Sequence, residues 1–202
     1  VGREKAALSP EQRKVIEAWS RRFGVDIRMS RKIAQFSRSL FASLEPLHRL
    51  PPYFGKLLEA ACYLVNCGHL ISSTGHHKHS YYIVSNADLA GFTDQERMFI
   101  ALLCRYHRKA MPNTRHTDYL GLLPEFRRPF LLLLPILRLV DGLHRAGDQR
   151  VESVSCQLKS GNVNLILRSD METGLEQWAL ERVALPFRQI YQRSLSVSVE
   201  RS

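Results

Sequence analysis

The side chains best suited to chemistry in this chain gather in two short runs, His76-His77-Lys78-His79-Ser80 after Gly75, and Arg105-Tyr106-His107-Arg108-Lys109. Imidazole, ammonium and guanidinium donors at this density suit a multiply charged oxyanion, phosphate above all. A loop feeding a helix N-terminus at His76 to Ser80 would add backbone N–H groups to the same cradle. Cationic residues at a helix C-terminus also complement the helix dipole, and for the second run alone that is the more economical reading. Three histidines in four positions have no evident packing use. Taken together, the two runs point to phosphate binding by His76, His77, Lys78, His79, Arg105, His107, Arg108 and Lys109, with Arg115, His116, Arg127 and Arg128 extending the patch.

The bulk composition agrees with an anionic partner. Lys and Arg number 29 against 19 Asp and Glu, a formal charge of +10 that concentrates polyanions whatever the fold. With 202 residues and 45% hydrophobic content the chain can bury a real core, as one domain or one domain plus a small appendix. Cys62, Cys67, Cys104 and Cys156 form no CxxC pair and mostly sit in apolar helical patterns, so neither a zinc site nor a disulfide framework is indicated. A charged N-terminus and ordinary thiols favour a reducing, cytoplasmic setting. The first residue is Val1, which fits a processed product or a piece of a longer protein. The strongest apolar run, Phe130 to Leu137, falls far short of the ~18 residues that span a bilayer.

These side chains need elements to hold them, and the patterning is mostly helical. Ser9-Pro10-Glu11-Gln12 is a capping box with proline at the first helical position, opening a helix over about 10–23. Asp26 caps a second over 26–45, before Pro46. Tyr53 to Cys67 is apolar on a broad surface and predicts a central helix packed on several sides. Ser80 to Val84 predicts a short helix, and the capping box Thr93-Asp94-Gln95-Glu96 opens a stronger one through Lys109. Pro124 to about Ala146 is helical again, with Pro135 expected to bend or interrupt it. Beyond Gly147 the period changes to two. Residues 151–158 and 163–167 predict a hairpin turning at Gly161-Asn162, Glu172 to Tyr191 an amphipathic helix with Trp178 on its apolar face, and Leu195 to Val199 a last strand. The expected fold is mainly α, a helical body over 1–148 with a small ββαβ subdomain over 149–202.

Longer motifs then carry a resemblance. Cys62-Tyr63-Leu64-Val65-Asn66-Cys67-Gly68-His69-Leu70-Ile71, then Gly75 to Ile83, then Asn86-Ala87-Asp88-Leu89-Ala90-Gly91-Phe92, resemble the C-terminal domain of Ppx/GppA phosphatases. Arg105 to Lys109 and Leu137-Arg138-Leu139-Val140-Asp141-Gly142-Leu143 are similar to two further signatures of that family, in the same order. The resemblance covers about residues 10–200 and implies an HD-like helical body. It places Met29 where HD phosphohydrolases carry their first metal-binding histidine and Val65-Asn66 where they carry a His-Asp pair, leaving only Asp141. Methionine and valine are not plausible ligands for such an ion.

The resemblance further implies that hydrolysis happens in two actin-like N-terminal domains with glycine-rich phosphate loops. No G-x-G occurs among the eleven glycines here. The implied role is an accessory domain that holds polyphosphate, or guanosine pentaphosphate, for those domains. No catalytic residue and no cofactor are expected in this chain, magnesium being an expectation for the complete parent enzyme alone, and a homodimer is the expected assembly. Two other readings stand beside this one. An autonomous metal-dependent phosphohydrolase would use His69, His76, His107 and Asp141; a nucleic-acid-binding or dimerisation module would lack any recognisable base-reading signature.

Overall fold

The computed structural model describes residues 7–201. Helix α1 (Pro10–Arg22) starts at the anticipated capping box, in which Ser9 Oγ accepts from the Gln12 amide at 3.1 Å and Gln12 Oε1 accepts from the Ser9 amide at 3.2 Å. Asp26 caps α2 (Ile27–Ser43) by accepting from the Arg28 and Met29 amides. A short α3 (Glu45–His48) turns the chain into α4 (Pro52–Leu64), whose residues from Leu57 to Leu64 are all buried. One member of that run is charged: Glu59 lies at the centre, and its carboxylate accepts from the Leu8 amide at 2.9 Å, Arg13 Nη2 at 3.3 Å and Arg38 Nη1 at 2.6 Å. A buried carboxylate is tolerable only with such partners, and these tie α1 and α2 to α4.

After a 3-10 turn at Cys67–Leu70 come α5 (His76–Ser85), α6 (Asp94–Tyr106), the short α7 (Thr117–Leu120) and α8 (Pro124–Gly142). Helix α8 runs uninterrupted through Pro129 and Pro135. The expectation of a helix from Ser80 is corrected in one respect that matters for chemistry: α5 begins at His76, so the basic run is the first turn of the helix itself, entered through Gly75 at φ 70°.

The C-terminal part has strands β1 (Ser153–Lys159), β2 (Asn162–Arg168) and β3 (Ser194–Glu200), in the spatial order β1-β2-β3. β1 and β2 are antiparallel with Lys159 opposite Asn162, so the turn is Ser160-Gly161 and Asn162 already belongs to β2. β2 and β3 are parallel, which requires the intervening helical crossover. That crossover is two helices instead of the single one anticipated, α9 (Gly174–Glu181) and α10 (Ala184–Tyr191). Pro186 explains the break: it has no N–H to donate, and its ring would clash with the carbonyl of Arg182.

The sheet rests on α2, where Ser39 Oγ donates to the Val154 carbonyl at 2.6 Å, and α10 is fixed to α8 by Tyr191 donating its hydroxyl to the Leu132 carbonyl at 2.6 Å. A single apolar cluster extends from Leu8 to Tyr191, taking in Val154, Val163, Leu165 and Leu167 of the strands. Among the described residues no helix is long and apolar enough to cross a membrane.

Candidate anion-binding cleft

The end of α6 is where the basic residues converge. Its last carbonyls lack helical partners, and Arg138 of α8 supplies them: Nε and Nη2 donate to the Tyr106 carbonyl at 3.0 and 2.7 Å, and Nη2 donates to the Ala110 carbonyl at 3.0 Å. This clamp fixes the turn that carries Arg108 and Lys109, the latter in the left-handed region at φ 61°. Burial brings the Arg138 guanidinium down to about 10, so it is still cationic at neutral pH.

Beside that turn opens a cleft of about 360 Å³ between the ends of α6, α8 and α9, lined by cations from four segments: Arg108 and Lys109, Arg138, Arg145 and Arg182. Asp141 is the one carboxylate in the lining. Trp178, 47% exposed, forms part of the wall, with the Arg182 guanidinium 4.9 Å from its ring centre. Cation–π stacking holds that guanidinium in place while leaving its N–H edges free to donate.

Behind the cleft lies a stack of imidazoles. His69 and His76 are parallel with centroids 3.9 Å apart, and His76 Nε2 lies 3.3 Å from His107 Nε2. His107 Nδ1 lies 2.6 Å from the Cys104 carbonyl, which can only accept, so Nδ1 carries the proton and Nε2 accepts from His76. His76 Nδ1 is then an acceptor and takes the Arg108 Nη1 donor at 3.3 Å; the Ser73 carbonyl, also 3.3 Å from Nδ1, is a near neighbour without a shared proton. The result is a directed chain from Arg108 through His76 and His107 to the backbone of α6.

This chain needs neutral rings, and their surroundings keep them neutral. Burial, followed by the neighbouring His107 and His69, pushes His76 down to about 4. Burial, followed by His107, Lys109 and Arg105, pushes His77 down to about 4 as well. His107 is lowered by burial against the opposing pull of Asp141.

Of the residues expected to bind phosphate, the structure brings His107, Arg108 and Lys109 into the cleft lining and keeps His76 and His77 buried outside it. Lys78 and His79 lie on α5 outside that lining, and Arg105 lies over the Tyr81 ring at 5.5 Å. Of the four extensions, Arg127 donates to the Leu120 and Leu122 carbonyls and His116 Nδ1 is hydrogen-bonded to the Tyr106 hydroxyl at 2.7 Å. Arg128 lines a different cavity and Arg115 lies outside the cleft. Sequence reasoning missed Arg138, Arg145, Arg182 and the exposure of Trp178. The spacing of Trp178 and Arg182, one helical turn apart, was the available signal.

The positions of an HD-type metal centre do not line one common cavity. Met29 and Asn66 line a cavity of about 440 Å³ with His69 and His144, whereas Asp141 faces the cationic cleft. Val65 is buried, and its carbonyl accepts from Ser80 Oγ at 2.6 Å. Among the described residues no group of three or more His, Cys, Asp or Glu side chains is placed to hold a metal ion.

The whole of this arrangement falls within a recognised family boundary: residues 12–189 match the family model described as Ppx/GppA phosphatase, domain III. The chain belongs to that family. For a Ppx/GppA domain III, the cleft between α6, α8 and α9 is the site whose chemistry needs an assignment.

Proposed function

We propose that this chain is the accessory domain of an exopolyphosphatase-type phosphatase, and that it grips polyphosphate in the cationic cleft while terminal phosphates are removed by actin-like domains of the parent enzyme. The observation that carries this reading is five cationic side chains around one carboxylate in a single cleft. Burial disfavours the charged forms of His76, His77 and His107, so the attraction comes from guanidinium and ammonium groups, which stay charged throughout the neutral range. Retention of a repeating anion by such groups resembles the tracking of a nucleic-acid backbone and weakens steeply with salt. In the complete enzyme, holding the distal chain would favour long substrates by prolonging their residence.

The test is polyphosphate affinity of the unmodified chain and of the Arg145→Ala/Arg182→Ala variant, measured across a salt series. Loss of two phosphate contacts is expected to make the slope of log affinity against log salt shallower by about 1.4. An unchanged affinity and slope would remove the cleft from consideration. Guanosine pentaphosphate, the other expected ligand, enters as a competitor, and displacement of long polyphosphate only at large excess is the expected result.

A further inference from the structure

A second cationic cavity lies where α3, the first half of α8 and the end of α10 meet. It encloses about 490 Å³ and presents Arg49, Arg128 and Arg193 around a floor that includes Leu131 and Ile190, with no carboxylate in its lining. Among the described residues none of these three guanidinium groups takes part in an ion pair. The cavity is separate from the cleft: Arg128 and Arg138 stand ten residues apart on α8, about 15 Å along its axis, and the two linings share no residue.

The backbone presents two of these arginines from tight corners. Arg49 is itself the left-handed C-cap of α3 at φ 52°, and Arg193 directly follows the left-handed C-cap of α10, Gln192 at φ 53°. Left-handed backbone is costly for residues with a side chain beyond Cβ, and neither position uses glycine or asparagine. The third arginine projects from the first half of α8 toward the same space. Three planar fork donors thus line one cavity together with the aliphatic side chains of Leu131 and Ile190, Arg193 Nη1 also donating to the Gln192 carbonyl at 3.0 Å.

The geometry points to a binding site for a small organic anion, a phosphate carried on an apolar or aromatic body. A bare phosphate would leave the Leu131 and Ile190 floor wet, and an apolar ligand would leave three guanidinium groups without a counter-charge. An organophosphate satisfies both walls, and the cavity falls within the usual size for small-molecule pockets. This site is independent of polyphosphate retention in the cleft.

Calorimetric titration with 1-naphthyl phosphate at fixed ionic strength tests it, with inorganic phosphate as the comparison ligand. The variant is Arg49→Asn/Arg128→Ala, in which asparagine tolerates the left-handed corner and both replaced side chains are exposed. Saturable binding is expected, weakened at least about tenfold in this variant and unaffected in the Arg145→Ala/Arg182→Ala variant. Polyphosphate affinity is expected to be the same in the Arg49→Asn/Arg128→Ala variant as in the unmodified chain. The site is refuted by absence of saturable binding, by equal affinity for inorganic phosphate, or by loss of binding in the cleft variant. Failure of polyphosphate binding in the cleft would leave the naphthyl phosphate and inorganic phosphate readouts intact, so the two proposals fall separately.

Discussion

At the scale of single residues, two of the histidines expected to bind phosphate, His76 and His107, are joined to each other by a hydrogen bond. His76 takes a proton-donating contact from Arg108 on one nitrogen and donates to His107 with the other, so either ring gaining a proton sets two donors against each other. The ordinary imidazole value is 6.5, and the folded chain holds His76 and His77 at about 4. Between those values the unfolded chain binds protons that the folded chain does not, so stability falls as pH falls through the window and levels off below it. Urea unfolding between about pH 7 and about pH 4.5 is expected to show a loss on the order of a few kcal/mol over the buried imidazoles together. His77→Gln removes one of these groups and should flatten the curve, and a slope identical to that of the unmodified chain would mean that His77 takes up its proton alike in the folded and unfolded chains. The sequence made the clustering of these rings legible through their spacing. Their neutrality was not legible, because it depends on burial under α6 and on a carbonyl of Cys104, neither of which spacing encodes. Arg182 and Arg145 went unread for the opposite reason: each is an ordinary surface arginine until the helices meet.

At the scale of elements, the junction between the 3-10 turn and α5 is the least tolerant part of the site. A Cβ on Gly68 would stand 2.1 Å from the His76 carbonyl oxygen and 2.5 Å from the Ser80 amide nitrogen, both backbone atoms that cannot swing aside. Ser80 Oγ completes the joint, accepting from the Gly68 amide at 2.9 Å and donating to the Val65 carbonyl. Gly68→Ala is therefore expected to cost on the order of 3 kcal/mol or more, read as a fall in the urea midpoint. A cost below ~1 kcal/mol would show that the turn slides freely on α5. The capping boxes at Ser9 and Thr93 and the cap at Asp26 made the starts of α1, α6 and α2 readable in advance, since caps are local chemistry. The start of α5 was not readable: Gly75 offers no side-chain cap, and three histidines resemble a loop. The division of α9 from α10 was written in Pro186, which the amphipathic pattern around it outweighed.

At the scale of the whole molecule, the apolar cluster crosses residue 148 without a gap, linking α2 and α8 to the strands. Two tryptophans report on its two ends: Trp19 in α1, whose indole N–H donates to the Asp88 carbonyl at 2.8 Å, and Trp178 in α9. Helical circular dichroism and the fluorescence of single-tryptophan variants are expected to give coincident denaturation midpoints, as one cooperative unit requires. Separate midpoints for the two reporters would instead describe two bodies at residues 1–148 and 149–202.

The order of strands in the sheet has a consequence for how the chain reaches this state. β1 and β2 are joined by a two-residue turn and can zip within microseconds, but the other side of β2 waits for a strand that arrives only after α9 and α10 have docked. Until then Asn162 and Asn164 lack their Ser194 and Ser198 partners, and an open strand edge faces the solvent. During synthesis and refolding, crowding and dilution thus act on the same few hydrogen bonds, and the yield of native protein becomes a race between docking of a helical pair and pairing with a neighbour's edge.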